Sequence, residues 1–350
     1  MTVAPRVPRP TTRSCVVPVL PRREFVGADL HPVDYAPPAD CPGPWARIVL
    51  ESDFDVTAGR QYDRTARLSL AGVPLFTGTT MEPRADLAPE WHVERDLTEY
   101  AALFAKPATG TAFLENYVDA KHDGRVFWQA RLIFYPAGGG SPAPAVPDLV
   151  VPMAPAVTKL TEKDRVLART VTWPRNLTRL ALDVLVMPQS GDESWQRCLP
   201  ADAMPKDLKG ESSCGYPFRE SEIRIDGQLA GFAPVYPWIY TGAMGVWNWT
   251  LIPGIGTLDL QPYRVDLTPF AALMNDGKPH RIELTARGAK DYMAATGVLL
   301  AWQDGKRRIV TGKLTRNTLT ASSLTLSGDF DTSRASGGSI DVAAARTGGV

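Results

Sequence analysis

Histidine is scarce in this chain, with four among 350 residues, at positions 31, 92, 122 and 280. None is accompanied by a Gly-x-Ser-x-Gly elbow, so a serine triad has no support and each His reads as a surface or strand residue. No Walker or dinucleotide glycine motif follows a strand and opens a helix, which removes the common phosphate-binding folds. The chain also lacks a charge surplus: 38 Lys and Arg balance 38 Asp and Glu. Nothing draws in polyphosphates, and a nucleic-acid partner is not expected. No apolar run is long enough to cross a bilayer, so no membrane partner is expected either. Neither clustered His nor paired-carboxylate spacing supports a metal, and no cofactor is expected. The opening "MTVAPRVPRPTTRSC" has no apolar core of a signal peptide. It fits either a cytosolic protein or one whose leader has been removed. The four cysteines favour the second, a secreted or periplasmic location. Cys198 and Cys214 bracket a polar loop, Cys15 and Cys41 bracket an irregular segment, and both spacings suit loop-stapling disulfides.

What the chain does have is turn chemistry. Its 31 prolines and 29 glycines punctuate short runs rich in Val, Leu, Ile, Thr, Trp and Tyr, the signature of an all-β protein. In "QYDRTARLSLAGVPLFTG" (61–78), Ala66, Leu68 and Leu70 share one parity while Asp63, Thr65, Arg67 and Ser69 share the other. That is a half-buried strand, a tight turn and a second strand.

The chain repeats itself. "ERDLTEYAALF" at 94–104 returns as "YRVDLTPFAALM" at 263–274, each a strand end, an Asp-Leu-Thr and a short helical turn. The hairpin returns as "PFRESEIRIDGQLAGF" at 217–232, where Ile223 and Ile225 replace Leu68 and Leu70, and Arg219 replaces Arg64. These pairs predict two antiparallel jelly-roll sandwiches of about eight strands each, packed side by side. The Gly/Pro/Ser run "AGGGSPAPAVPDL" is expected as the linker. The expected plan is an irregular segment (1–40), a first sandwich (41–136), the linker (137–149), a second sandwich (150–306) and a C-terminal extension or truncated third module (307–350).

The repeat sorts the acids. Asp96 and Asp266 recur at the head of a helical turn, where capping or an Asx-turn explains them. Asp63 does not recur; Phe218 stands in its place. Glu115 lies on a strand between Phe113 and Tyr117 on its own face. Two carboxylates near an Arg and several aromatics can divide acid and base roles on a sugar conjugate, because burial sets their proton affinities apart.

The segments "DRTARLSLAGVPLFTGTTMEP", "RDLTEY", "RNLTRLALDVLV", "PFRESEIRIDGQLAGF", "YPWIYTGAMGVWNWTLIPGIGTLDLQPYRVDLTPF" and "DGKPHRIEL" resemble, in order and spacing, the plant and fungal peptide N-glycosidase A family. The closest picture is a bacterial, acid-active member. A more distant resemblance is to the bacterial peptide N-glycosidase F type. Its Trp-Asp-Arg triplet falls on Tyr62, Asp63 and Arg64, its Thr-Glu-Thr-Trp strand on Leu114, Glu115, Asn116 and Tyr117, and its "VVP" on Val150, Val151 and Pro152.

The resemblance implies a two-jelly-roll amidase that cleaves the amide between Asn and the innermost N-acetylglucosamine of N-glycosylated proteins and peptides. It implies Asp63 as the catalytic acid and Glu115 as a supporting carboxylate. Arg64 would bind the developing oxyanion or a sugar hydroxyl, and its repeat partner Arg219 joins the substrate-binding set. Tyr62, Tyr117, Trp195 and Trp247 are candidates to stack on sugar. The family's second-domain Glu falls on Gly215 here, so Asp192 or Glu193 of "QSGDESW" is the expected replacement. The protein is expected to act as a monomer. The rival reading is a non-catalytic, lectin-like glycan binder on the same scaffold.

Overall fold

The computed structural model describes residues 2–193, 195, 218–235, 256–328 and 340–345. They fall into two compact units: 2–155 with 256–261, and the remaining described residues from 156 onward.

The first unit is built on β1 (Cys15–Phe25), β2 (His31–Tyr35), β3 (Trp45–Val56), β4 (Thr65–Leu70), β5 (Val73–Thr79), β6 (Glu90–Asp96), β7 (Ala108–Leu114) and β8 (Val126–Pro136), with a short β9 (Leu149–Pro152) after them. The first eight form two antiparallel sheets, ordered β1-β8-β3-β6 and β2-β7-β4-β5. This interleaving is a jelly roll. Alternation directs the strands: Ala66, Leu68 and Leu70 are buried while Thr65, Arg67 and Ser69 are half-exposed. Between the sheets sits an aromatic core in which Phe54 stacks on Trp91 at 5.0 Å and on Trp128 at 4.9 Å.

The second unit repeats the first strand for strand. It comprises β10 (Thr158–Leu160), β11 (Val166–Thr172), β12 (Leu177–Gln189), β13 (Glu220–Ile225), β14 (Gln228–Pro234), β15 (Tyr263–Asp266), β16 (Pro279–Arg287) and β17 (Tyr292–Gln303). Its orders, β10-β17-β12-β15 and β11-β16-β13-β14, are those of the first unit.

The duplication reaches single hydrogen bonds. Asp96 Oδ1 accepts from the Thr98 N–H, and Asp266 Oδ1 from the Thr268 N–H, both at 3.0 Å. Leu97 N–H donates to Ile48 O, and Leu267 N–H to Leu180 O, both at 2.9 Å. The two recurrent acids are thus Asx-turn residues, as their position implied. Both hairpins turn through a pair of positive φ angles, Ala71-Gly72 (49° and 80°) and Asp226-Gly227 (49° and 80°).

The structure revises the expected plan in three places. The segment 1–40 is not irregular: β1 and β2 lie in it, pairing with β8 and β7. Its proline-rich look conceals two strands because their partners lie about a hundred residues away. The second unit is not one continuous stretch, since residues 256–261 belong to the first. There the Thr79 N–H donates to Thr257 O and the Leu260 N–H to Thr77 O, each at 2.9 Å, laying the segment along β5. Finally, the compact units divide between Pro155 and Ala156, beyond the Gly/Pro/Ser run.

Residues 307–322 are without strand or helix but tied down, for example by Asn317 Nδ2 donating to Leu229 O at 2.8 Å. They lead into the hairpin of β18 (Ser323–Gly328) and β19 (Ile340–Ala345). Cys15 and Cys41 are disulfide-bonded, with Cα atoms 6.1 Å apart. The second expected pair, Cys198 and Cys214, lies outside the described residues.

Candidate active site

Tyr62, Asp63 and Arg64 are the three residues before β4. The β4–β7 ladder pairs Ala66 with Leu114. Continued two steps, it sets Arg64 opposite Asn116, and Arg64 Nε donates to Asn116 Oδ1 at 2.7 Å. Asp63 and Glu115 thus lie on the two adjacent chain segments that the Arg64–Asn116 bond ties together. The Tyr117 N–H donates to Tyr62 Oη at 2.7 Å, closing the strand mouth.

Arg64 is almost fully buried. Its guanidinium lies 4.1 Å from the centre of the Tyr62 ring and donates through Nη1 to Tyr62 O. Burial pushes its proton affinity down, and the Tyr62, Asp63 and Glu82 charges act the other way. Nη2 is buried and meets no protein acceptor among the described residues.

Asn116 anchors the arrangement from beneath. It is wholly buried, exchanges backbone bonds with Gly27 at 2.8 Å each way, and donates Nδ2 to Phe25 O at 3.0 Å. Every one of its polar groups is thereby committed, which fixes where Arg64 points. The far side of Tyr62 meets His122, ring edge to face, at 5.3 Å. The Gln61 amide lies where a Cβ on residue 124 would sit, 1.5 Å from that position, so a side chain at 124 would displace it.

Glu115 and Tyr117 are exposed, Tyr117 by 54%. The Glu115 carboxylate hydrogen-bonds the Tyr117 hydroxyl and its charge raises the phenol's proton affinity. Sequence reasoning did not find Glu82. Its half-buried carboxyl accepts from the Asp63 backbone N–H and is pushed up to about 6, first by burial and then by the Asp63 charge.

The second-unit candidates are placed differently. Asp192 and Arg219 form an ion pair, Oδ1 to Nη2 at 2.9 Å, with both side chains fully shielded. Asp192 also accepts from the backbone N–H groups of Lys290 and Asp291, at 2.9 and 2.8 Å. Trp195 is buried, its ring 5.6 Å from the Arg219 guanidinium. Asp192, Trp195 and Arg219 are thus buried together at this end of their unit. Glu193 is half-buried in the same turn. Trp247 lies outside the described residues.

Glu51, His92 and Glu94 bring ligand-type atoms within 4.8 Å of one another. Arginines fill that cluster: Arg9 reaches Glu51 at 2.8 Å and Glu94 at 2.9 Å, and Arg131 Nε donates to Glu51 at 2.6 Å. It is an ion-pair network that binds the N-terminal segment to β3 and β6.

Two jelly rolls of identical strand order, the first carrying the half-buried acids Asp63 and Glu82 beside a buried arginine, define a class of duplicated sandwich proteins. Solved structures share that fold. PNGF-II has a TM-score of 0.55 at 13% identity, over 83% of this chain and 65% of that one. PNGase F, a glycosylasparaginase from Flavobacterium meningosepticum, has a TM-score of 0.52 at 13% identity, over 83% and 96%. The sequence profile described as peptide N-acetyl-beta-D-glucosaminyl asparaginase amidase A matches residues 9–327, and the chain belongs to this family. A curated relative from Prunus dulcis, peptide-N4-(N-acetyl-beta-glucosaminyl)asparagine amidase A, is 28% identical over 319 residues. The match covers 85% of this chain and 55% of that protein, so the chain spans about half the length of this relative.

Proposed function

We propose that this chain is a peptide N-glycanase: it hydrolyses the amide joining Asn to the first N-acetylglucosamine of an N-glycan, leaving Asp on the peptide and releasing a glycosylamine. The observation that carries this reading is the strand mouth where Asp63 stands beside a buried Arg64. The fold does not demand that acid, because the duplicated hairpin has Phe218 there.

In the reaction, water adds to the side-chain carbonyl carbon of the glycosylated Asn while Asp63 takes its proton. The carbonyl oxygen becomes an oxyanion, and the positive charge of the Arg64 guanidinium next to Asp63 favours it. The C–N bond then breaks and the proton passes from Asp63 to the leaving amine. Glu115 holds Tyr117, whose exposed ring offers a face to the sugar. The Cys15–Cys41 disulfide suits a secreted or periplasmic enzyme. A lectin-like binder on this scaffold would have no use for an acid pair beside a buried arginine.

The test is a glycopeptide incubated with the parent and with Asp63→Asn, followed by mass spectrometry. The parent should convert Asn to Asp and free the intact glycan. Asp63→Asn should lose about 10²–10⁴-fold in turnover while binding and stability stay near parent values. Glu115→Gln should lose less. Conversion at the parent rate by folded Asp63→Asn removes Asp63 from the mechanism. Retention of one N-acetylglucosamine on Asn would indicate cleavage between sugars instead.

A further inference from the structure

We propose that Glu82 is a positioning residue of this site: it holds the Asp63 backbone and, through its own charge, sets the pH range over which Asp63 and Arg64 act. The inference rests on the peptide N-glycanase reading above.

The placement follows from the hairpin register. Thr65 pairs with Thr79. One step further, the Arg64 N–H donates to Thr80 Oγ1 at 3.0 Å and the Thr80 N–H to Arg64 O at 2.8 Å. Two residues beyond Thr80, the Glu82 carboxyl accepts from the Asp63 N–H. Pro83, buried, follows at once and cannot continue a ladder.

The repeat supplies an internal control. By sequence position, the second hairpin has Phe218 for Asp63, Arg219 for Arg64 and Pro237 for Glu82. Both acids vanish together while the arginine stays, paired there with Asp192. A jelly-roll hairpin therefore requires neither acid, and the two belong together.

The groups acting on Glu82 are Asp63, Arg64 and Arg60; on its own segment, Arg84 is taken by Asp86 at 3.2 Å. Burial and Asp63 raise the Glu82 carboxyl to about 6, against the Asp63 N–H bond and the two arginines. Below that pH Glu82 is neutral, and the Arg64 charge is fully available to a developing oxyanion. Above it, a second negative charge stands beside Asp63 and offsets Arg64, so turnover should decline.

The experiment measures kcat and KM on a glycopeptide from pH 4 to 8 for the parent, Glu82→Gln and Glu82→Ala, with carbon-detected NMR titration of the carboxyl groups. The parent should lose activity as pH rises through about 6, by roughly tenfold one unit above it. Glu82→Gln, permanently neutral but still an acceptor, should keep the acid-side rate and lose that decline. Glu82→Ala should lower kcat at every pH with KM little changed, and Gln should restore what Ala removes. A carboxyl titrating near 6 should be present in the parent and missing from Glu82→Gln. An unchanged decline in Glu82→Gln, or no such carboxyl in the parent, overturns the proposal and leaves the amidase reading standing. A parent that converts no glycosylated Asn overturns the amidase reading itself, and this proposal with it.

Discussion

Arg64 and Arg219 occupy one structural position and meet opposite fates. Each is a guanidinium buried at the start of the same strand, and burial lowers the proton affinity of both. Arg219 faces a fully buried carboxylate, itself capped by two backbone N–H groups. Arg64 donates instead to a neutral amide and a carbonyl. Removing Arg219 strands a buried charge, so Arg219→Met should cost about 3–5 kcal/mol in denaturant unfolding. Arg64→Met takes the Arg64 donors from Asn116 Oδ1 and Tyr62 O, both neutral groups, at about 1–3 kcal/mol, yet should abolish glycopeptide turnover. A larger stability loss for Arg64→Met than for Arg219→Met would reverse this assignment.

Asn116 was readable at this scale: it shares inward parity with Ala112 and Leu114, and an inward Asn beside a buried Arg is an anchor. Glu82 was not. Between Leu68–Phe76 and Ser69–Pro74 the hairpin carries a bulge, which gives β5 one extra residue. Counting back from the turn without it shifts every later residue of β5 by one place against β4.

Among the elements, the hairpins and the Asp-Leu-Thr turns could be read in advance because their signals are local: period-two alternation, a turn with glycine, a carboxylate two residues before the N–H it accepts. β1 and β2 could not, since their evident prolines argue against strands and their partners are distant in sequence. The segment 256–261 was hidden for the same reason. Gly78 records its presence: a Cβ there would stand 2.5 Å from Leu258 O and 2.7 Å from Phe76 Cζ. Gly78→Val should therefore destabilise by about 1–3 kcal/mol and expose residues 256–261 to limited proteolysis. Unchanged cleavage and stability would show that the segment gives way without cost.

At the scale of the molecule, one topology is used twice, but only the first unit has a disulfide among the described residues. The bond closes a loop over 26 positions, from the start of β1 to the approach to β3. Closing such a loop stabilises by about 3–4 kcal/mol in the chain-entropy treatment. The double variant Cys15→Ser/Cys41→Ser should lower the urea midpoint accordingly, and reducing agent should do the same to the parent. No change in either would mean that the first unit's core holds that segment unaided.

The strip of chain laid along β5 also bears on the order in which this protein can be made. The ribosome delivers β5 and, 180 residues later, the Leu258 stretch that satisfies its outer N–H and C=O groups. At 5–20 residues per second the gap is roughly 10–40 seconds. Through that interval the first sandwich has its eight strands but presents β5 as an open edge, the kind of template on which neighbouring nascent chains pair. The proline at 74, on β5 itself, offers no N–H to such a neighbour.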